Sequence, residues 1–523
     1  MILSMSTCND VPITRRSVLK GAGALAIPSA LGRLPATAAP ASTRIREVVL
    51  DLHHLHKWDQ SNGDTWDPFW ADDGNLYAFS CDGRGFGTKP RNLAFNRLSG
   101  DSPHGLAGAP VNSMDEYGEA GKKEADNATW KVCGQECIDS VFYAFVSRNA
   151  YGKDSGDYWL RQTAFNSSLI KSTDRGHTWT RSASANFGNP MWPGPSFGAP
   201  MFVHYGKNGG NVAQDEAGRY VYAVSTNGFW NDGDQYVLGR ILRTRLGALN
   251  ASDWSYFVGK GRWAGQIEEA VPILASPTRC GQTPPCYVPA LGVYVMVVWY
   301  NTERMTTWFE PNEMRYDFYQ ADHLWGPWTP IDSFSDRFLN GSHMYGPSLC
   351  AKFQESSGGE VKIHMFTSGC PFPDVPSAVY KAWTIPVILK TEASPATVLV
   401  PSNDARIVYK GNWSAPCGLY ADVEARYSAS AGDSAQLRFR GAGIAWLADK
   451  AAGFGSAEVF LDGKLADTVK LGVDNLPRLS GVTVFRAENL TKAEHTLQIV
   501  NRDAAGLVLD SFRIYGGEAL PPA

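Results

Sequence analysis

The chain has 523 residues, with 48 Lys and Arg against 52 Asp and Glu and a formal charge of -4. That length exceeds one ordinary domain, and the near-balanced charge gives no electrostatic argument for a nucleic-acid partner, so none is expected. Counts of 52 Gly, 17 Trp and 21 Tyr suit many turns between short strands, a surface that handles sugars, or both.

Residues 1–41 read as an export signal. Thr14-Arg15-Arg16-Ser17-Val18-Leu19-Lys20 precedes an apolar stretch from Gly21 to Leu31, and Ala36-Thr37-Ala38 and Ala39-Pro40-Ala41 are small-residue cleavage points. The pattern resembles a twin-arginine signal, with an ordinary secretory signal as the alternative. Either one predicts a secreted or periplasmic protein with no membrane attachment after cleavage. Leu291 to Trp299 is too short to span a bilayer and suits a buried strand. Export also predicts disulfides. Cys8 leaves with the signal, and Cys133–Cys137, Cys280–Cys286 and Cys350–Cys370 are the natural local pairs, with Cys81 and Cys417 also present.

The mature chain opens on Asp51, His53, His54, His56 and Asp59. Their spacing matches no metal-ligand motif, so they are read as an ordinary strand, with no metal or other cofactor expected. From 46 to 390 the pattern is strand, turn, strand. Asn75–Ser80, Val141–Ser147, Arg219–Ser225, Gly292–Trp299 and Val361–Thr367 are short runs rich in Val, Tyr, Phe and Ile, bounded by Gly, Asp, Asn and Pro. No long helical pattern separates them, which excludes alternating β and α units and predicts an all-β, radially packed propeller. Ser172-Thr173-Asp174-Arg175-Gly176-His177-Thr178-Trp179 matches the Asp-box of propellers. It is a hairpin in which Asp accepts backbone amides, Gly takes a positive φ and Trp packs back on the turn. Asp174 is therefore scaffold rather than a catalytic candidate. About 340 residues at roughly 45 per blade would make seven blades, and longer loops would make five. A linker with Pro395 and Pro401 spans 391–402, and 403–518 reads as a β-sandwich whose aromatic candidates for sugar contact are Trp413, Tyr420 and Trp446.

Glycoside hydrolysis needs one carboxylic acid and one carboxylate whose pKa values are pushed apart. Asp67 and Asp82 bracket the first apolar strand, where an innermost strand meets the central axis, and they are the leading pair. Asp139, Glu268 and Glu269 are further acids. His204 and His343 are candidate sugar contacts. Arg84, Arg240, Trp192, Trp230, Trp299 and Trp308 are candidate sugar contacts.

Three phrases carry a family resemblance: Asp67 followed by Phe79-Ser80-Cys81-Asp82; Phe197 to Lys207 followed by Gly218 to Ala223; and Tyr236 to Arg243 followed by Asp253-Trp254-Ser255-Tyr256-Phe257 and Trp263. Over roughly 60–385 the chain resembles the exported propellers that include bacterial endo-D-arabinanases. The resemblance implies five blades and acid-assisted glycosidic cleavage by Asp67 and Asp82. Cys81 stands where that family has Gly before the second acid, and Pro68-Phe69 stands where it has Leu-Gly after the first. The reading is thus an exported, monomeric glycoside hydrolase acting on a polysaccharide such as arabinan or arabinogalactan. Propellers of similar appearance include polysaccharide lyases that use Tyr and His, so His204 with Tyr205 and His343 with Tyr345 keep open a lyase acting on a rhamnose- or uronate-containing glycan; a non-catalytic glycan-binding protein is the other alternative.

Overall fold

A computed structural model describes residues 44–151, 161–182, 188–210, 218–301, 314–336, 344–369, 380–391, 397–414, 425–451, 453–472 and 479–522. Five antiparallel sheets follow one another around an axis and form a five-bladed β-propeller rather than a seven-bladed one. Blade I begins at Phe69–Trp70 and continues through Leu76–Gly83, Arg91–Ser99 and Ala107–Asn112. Blade II begins at Thr129–Ile138, blade III at Pro200–Phe202, blade IV at Cys286–Val288 and blade V at Met344–Ser357. These first strands touch their neighbours around the ring, and His204 bridges Cys286 in parallel between blades III and IV. They therefore line the axis. Blade V is completed from the other end of the propeller: Ile45–Leu50 pairs with Ala382–Thr391 as its outer strand. Closing the ring in this way leaves no long unpaired edge between first and last blades.

The blade faces carry the apolar residues of each strand, and neighbouring blades bury them against one another. Trp254, Trp299 and Trp383 are fully buried between blades, each worth a few kcal/mol at about 25 cal/mol per Å² of apolar surface removed from water. The Asp-box forms as the sequence predicts. Asp174 Oδ1 accepts the Thr178 amide at 2.9 Å, Gly176 has φ +90°, and the Trp179 indole donates to Gly176 O at 3.1 Å. A Cβ at Gly176 would lie 2.0 Å from the Phe95 ring, so this turn of blade II docks on blade I only with glycine there.

The C-terminal part is a sandwich. One sheet orders Thr397–Pro401, Ser511–Tyr515, Gly443–Lys450 and Leu479–Ala487. The other includes Ser434–Gly441, Ala493–Asn501 and Ser456–Leu461. Trp446 is fully buried in its core and Trp413 is half-buried against Tyr409, while Tyr420 lies outside the described residues. The sandwich docks on blade V and the opening strand. Arg513 pairs with Glu47 at 3.1 Å, Arg486 with Glu360 at 3.3 Å, and Leu52 and Leu55 pack against both domain cores.

The disulfide expectation is corrected. Cys81, Cys133, Cys137, Cys280, Cys286 and Cys350 are buried free thiols, so neither Cys133–Cys137 nor Cys280–Cys286 forms. Cys133 and Cys137 lie on one extended strand, where a four-residue separation spans about 13 Å, far beyond disulfide reach. Cys280 belongs to the core between blades III and IV, while Cys286 lies on an axial strand in a different core cluster. Cys350 is unpaired, and Cys370 and Cys417 lie outside the described residues. Among the described residues no helix is long and apolar enough to cross a membrane. Residues 1–41, where the sequence predicts an export signal, lie outside the described residues.

Candidate active site

The first strands bring polar side chains from separate blades onto the axis. Two networks result. In the lower one, His204 from blade III lies between two carboxylates. Its Nε2 donates to Asp67 Oδ1 at 2.7 Å and its Nδ1 to Glu136 Oε2 at 2.8 Å. Ser348 from blade V also donates to Asp67 Oδ1. Burial opposes a charge on His204, but Asp67 and Glu136 outweigh it and raise its pKa to about 10. Burial pushes the Glu136 carboxyl up despite the imidazolium beside it.

The upper network joins Asp64 and Asp82 through Lys131. The Lys131 ammonium bonds Asp82, and its charge is also felt by Asp64. Burial disfavours the ammonium, yet Asp82 and Asp64 carry its pKa above the ordinary value. Asp64 accepts the Tyr345 hydroxyl at 2.8 Å and a further hydrogen bond from Tyr380, both from blade V. Burial raises Asp64 to about 6, with Lys131 opposing the rise and Asp82 adding to it.

Local backbone geometry makes this arrangement. Asp64 bridges Cys81, so the opening segment runs antiparallel beside the end of Leu76–Gly83. Gly63 at φ +108° permits the approach, since a Cβ there would lie 2.6 Å from Cys81 O. Thr65 at φ 57° and Asp82 at φ 49° are left-handed and turn the acids out of the regular strand alternation. A pocket opens beside the His204 network, lined by Thr65, Asp67, Trp230, Gln282, Gly346 and Ser348 among others. Trp230 is held edge-on to Trp299 and Tyr345 at 5.1 and 5.5 Å. Asp67 Oδ2 and Asp82 Oδ1 are buried without a hydrogen-bond partner among the described residues. Such orphaned acceptors are costly unless a ligand hydroxyl or water meets them.

The sequence candidates separate into axial and peripheral sets. Asp67, Asp82, His204, Tyr345 and Trp230 reach the axial region, but Asp67 and Asp82 belong to different networks. Tyr205 points away from His204 into the core between blades III and IV, where its hydroxyl meets Tyr294 OH at 3.2 Å. Asp139 is an exposed partner of Arg243 at a hairpin turn, at 2.9 Å. Glu268 and Glu269 are exposed beyond the outer strands of blade III. Arg84 donates to Gly87 O within its own loop at 2.8 Å. Arg240 is sandwiched between the Tyr220 and Trp263 rings at 4.0 and 3.9 Å. Trp192 and Trp299 are buried between blades, Trp192 donating to Tyr256 OH at 2.6 Å. His343 and Trp308 lie outside the described residues. Asp64, Lys131, Glu136 and Ser348 are axial residues that sequence reasoning did not single out as candidates. Buried polar side chains on the first strand of a blade are the signal that marks them.

No family model matches the chain. Two curated proteins of Flavonifractor plautii are similar over short stretches. An A type blood N-acetyl-alpha-D-galactosamine deacetylase is 34% identical over 110 residues, which is 21% of this chain and 14% of that protein. An A type blood alpha-D-galactosamine galactosaminidase is 35% identical over 102 residues, 19% of this chain and 9% of that protein. The similarity thus spans a small part of either relative and leaves their activities with them. Among solved structures, an exo-beta-1,3-galactanase from Phanerochaete chrysosporium aligns with 90% of this chain and 100% of its own, at 10% identity and a TM-score of 0.38. So loose a superposition carries no argument, and the five-bladed assignment rests on the strand order.

Proposed function

We propose that the chain is an exported glycoside hydrolase in which Asp64 and Asp82 form the working pair of carboxyl groups. The observation that carries this reading is the Lys131 ammonium, which bonds Asp82 and whose charge also acts on Asp64. Asp64, shifted to about 6, holds a proton to give to a glycosidic oxygen. Asp82, bonded to the ammonium and keeping 34% of its side chain exposed, is the carboxylate that activates water or attacks the sugar. Asp67, the partner suggested by the family resemblance, contributes its open oxygen to a sugar hydroxyl while His204 and Ser348 hold it in place. The aromatic edge of Trp230 gives the ring an apolar wall. A uronate would meet several carboxylates here, so the site favours a neutral glycan. The opening segment's resemblance points to arabinan or arabinogalactan.

The test is a product assay on arabinan, arabinogalactan, rhamnose-containing and uronate-containing polymers. New reducing ends are expected, and Asp64→Asn and Asp82→Asn should each lower cleavage by at least about a hundredfold while circular dichroism stays unchanged. Full activity in both variants would remove the pair. An ultraviolet-absorbing unsaturated product would identify a lyase, and retention of a glycan with no product would identify a binding protein.

A further inference from the structure

The segment 56–67 is a strap between the last blade and the first. His56 and Lys57 pair with Thr384 and Trp383 of blade V, the Trp58 amide donates to Ala382 O at 3.0 Å, and the Gly63 amide donates to Tyr380 O at 3.3 Å. Beneath it lies the apolar core of the seam, with Trp58, Trp66, Leu76 and Leu98 packed against Cys350 and Phe366. The far end of the strap carries Asp64 and Asp67. Its near end sits in a cluster of three imidazoles. His56 and His104 have ring centroids 5.8 Å apart, and His104 and His364 are 6.2 Å apart. The three rings come from the strap, from blade I and from blade V.

His364 is 1% exposed, and among the described residues neither buried ring nitrogen has a hydrogen bond of good geometry. The Phe353 backbone favours its charged form, but burial outweighs that contact. Burial lowers the pKa of His364 to about 4, with Lys362 and His104 adding to the effect. Burial also lowers His104, assisted by His56, His54 and Lys362, and lowers His56 against the pull of Asp59. Asp51 is the acid that favours protonation of His104 and His364, and its own carboxylate is engaged by His54 at 2.7 Å. On the blade V strand beside Phe353, Lys352 adds another cation, held by Gly74 O and Gly100 O. The closed seam therefore holds neutral rings among cations, and acid must charge them.

We propose that this histidine cluster is an acid-sensitive latch on the strap, so that protonation loosens the seam between blades I and V and displaces Asp64 and Asp67. The latch stands on the seam geometry, and its role as a regulator of cleavage rests on the hydrolase reading above. Because the closed state binds these protons less readily than the open one, closure weakens as pH falls from the ordinary histidine value of 6.5 toward about 4.

Hydrogen exchange on the full chain tests it without any substrate. Between about pH 7 and about pH 5, protection factors in 56–67 should fall by about tenfold or more relative to blades II to IV. In the variants His364→Phe and His104→Asn this selective loss should shrink to less than about threefold; His104 is exposed, so His104→Asn retains the fold if His364→Phe does not. A strap that tracks the other blades in the wild type, or a selective loss unchanged in the folded variants, overturns the latch. Exchange reads no catalysis. A loosening strap in a chain that cleaves nothing would therefore sink the hydrolase reading and leave the latch.

Discussion

At the axial floor, Asp67 and Glu136 clamp His204 from both sides, and the side chains of His204 and Glu136 are 2% and 3% exposed. At the mouth, Asp64 and Asp82 share Lys131, and a third of the Asp82 side chain meets solvent. Both networks place one cation with two carboxyl groups, yet their chemistry diverges. The floor is nearly saturated: its imidazole is satisfied on both nitrogens, and Asp67 keeps one open oxygen toward the pocket. The mouth is unequal: one carboxyl is buried and raised to about 6, while the other is ion-paired and partly wet. Exposure and asymmetry, more than residue type, separate a structural network from one suited to acid–base work.

The largest effect should come from breaking the floor. His204→Ala leaves Asp67 and Glu136 facing each other without a cation, which should cost about 3–5 kcal/mol, read as a lower urea midpoint. Asp82→Asn at the mouth should cost less, about 1–2 kcal/mol, since Asp82 is partly exposed and Asp64 stays as a counter-charge to the buried Lys131. Equal stability losses in the two variants would erase the distinction.

A smaller effect separates the networks by pH. His204 has a folded pKa of about 10 against an ordinary 6.5, so the folded state holds the extra proton. Its contribution is complete below 6.5 and is lost as pH rises toward 10, at no more than about 1.4 kcal/mol per pH unit. Asp64 is raised from 3.8 to about 6, so its protonated form is favoured by folding, and that contribution is lost as pH rises through this lower window. Urea midpoints measured across pH should show His204→Gln flattening the upper window alone and Asp64→Asn the lower alone. A single shared window would mean that the two networks titrate as one.

Particular residues show what the sequence could disclose. Turn residues and short apolar runs define the all-β architecture, and the Asp-box forms where its spacing puts it. The opposed directions of His204 and Tyr205 follow from strand alternation. Lys131 and Glu136 are harder, because five residues apart on a regular strand they would face opposite ways. A bulge between Val132 and Gly134 inserts one residue and brings both to the axis. Asp64 was hidden by a similar irregularity: Thr65 at φ 57° gives Asp64 and Asp67 different partners only three residues apart. Cysteine spacing misled because closeness in sequence along an extended strand is distance in space.

The smallest effect tests whether an acid outside both networks matters to chemistry. Asp174 is half-buried in the Asp-box, and hydrogen bonds from Thr178 and Ser172 overcome that burial and hold its carboxyl at about 2. The bonds are local: the Thr178 amide at 2.9 Å, the Thr178 hydroxyl at 2.6 Å and the Ser172 hydroxyl at 2.7 Å. Asp174→Asn keeps one acceptor oxygen and the shape of the side chain, so the turn should weaken by about 1 kcal/mol. Cleavage at the axis should be unchanged, because the turn joins outer strands of blade II and touches neither carboxyl network. A product assay and a urea midpoint on the same preparation check both halves. Loss of cleavage with an unchanged midpoint would place function on the outer rim and undo the contrast between mouth and floor.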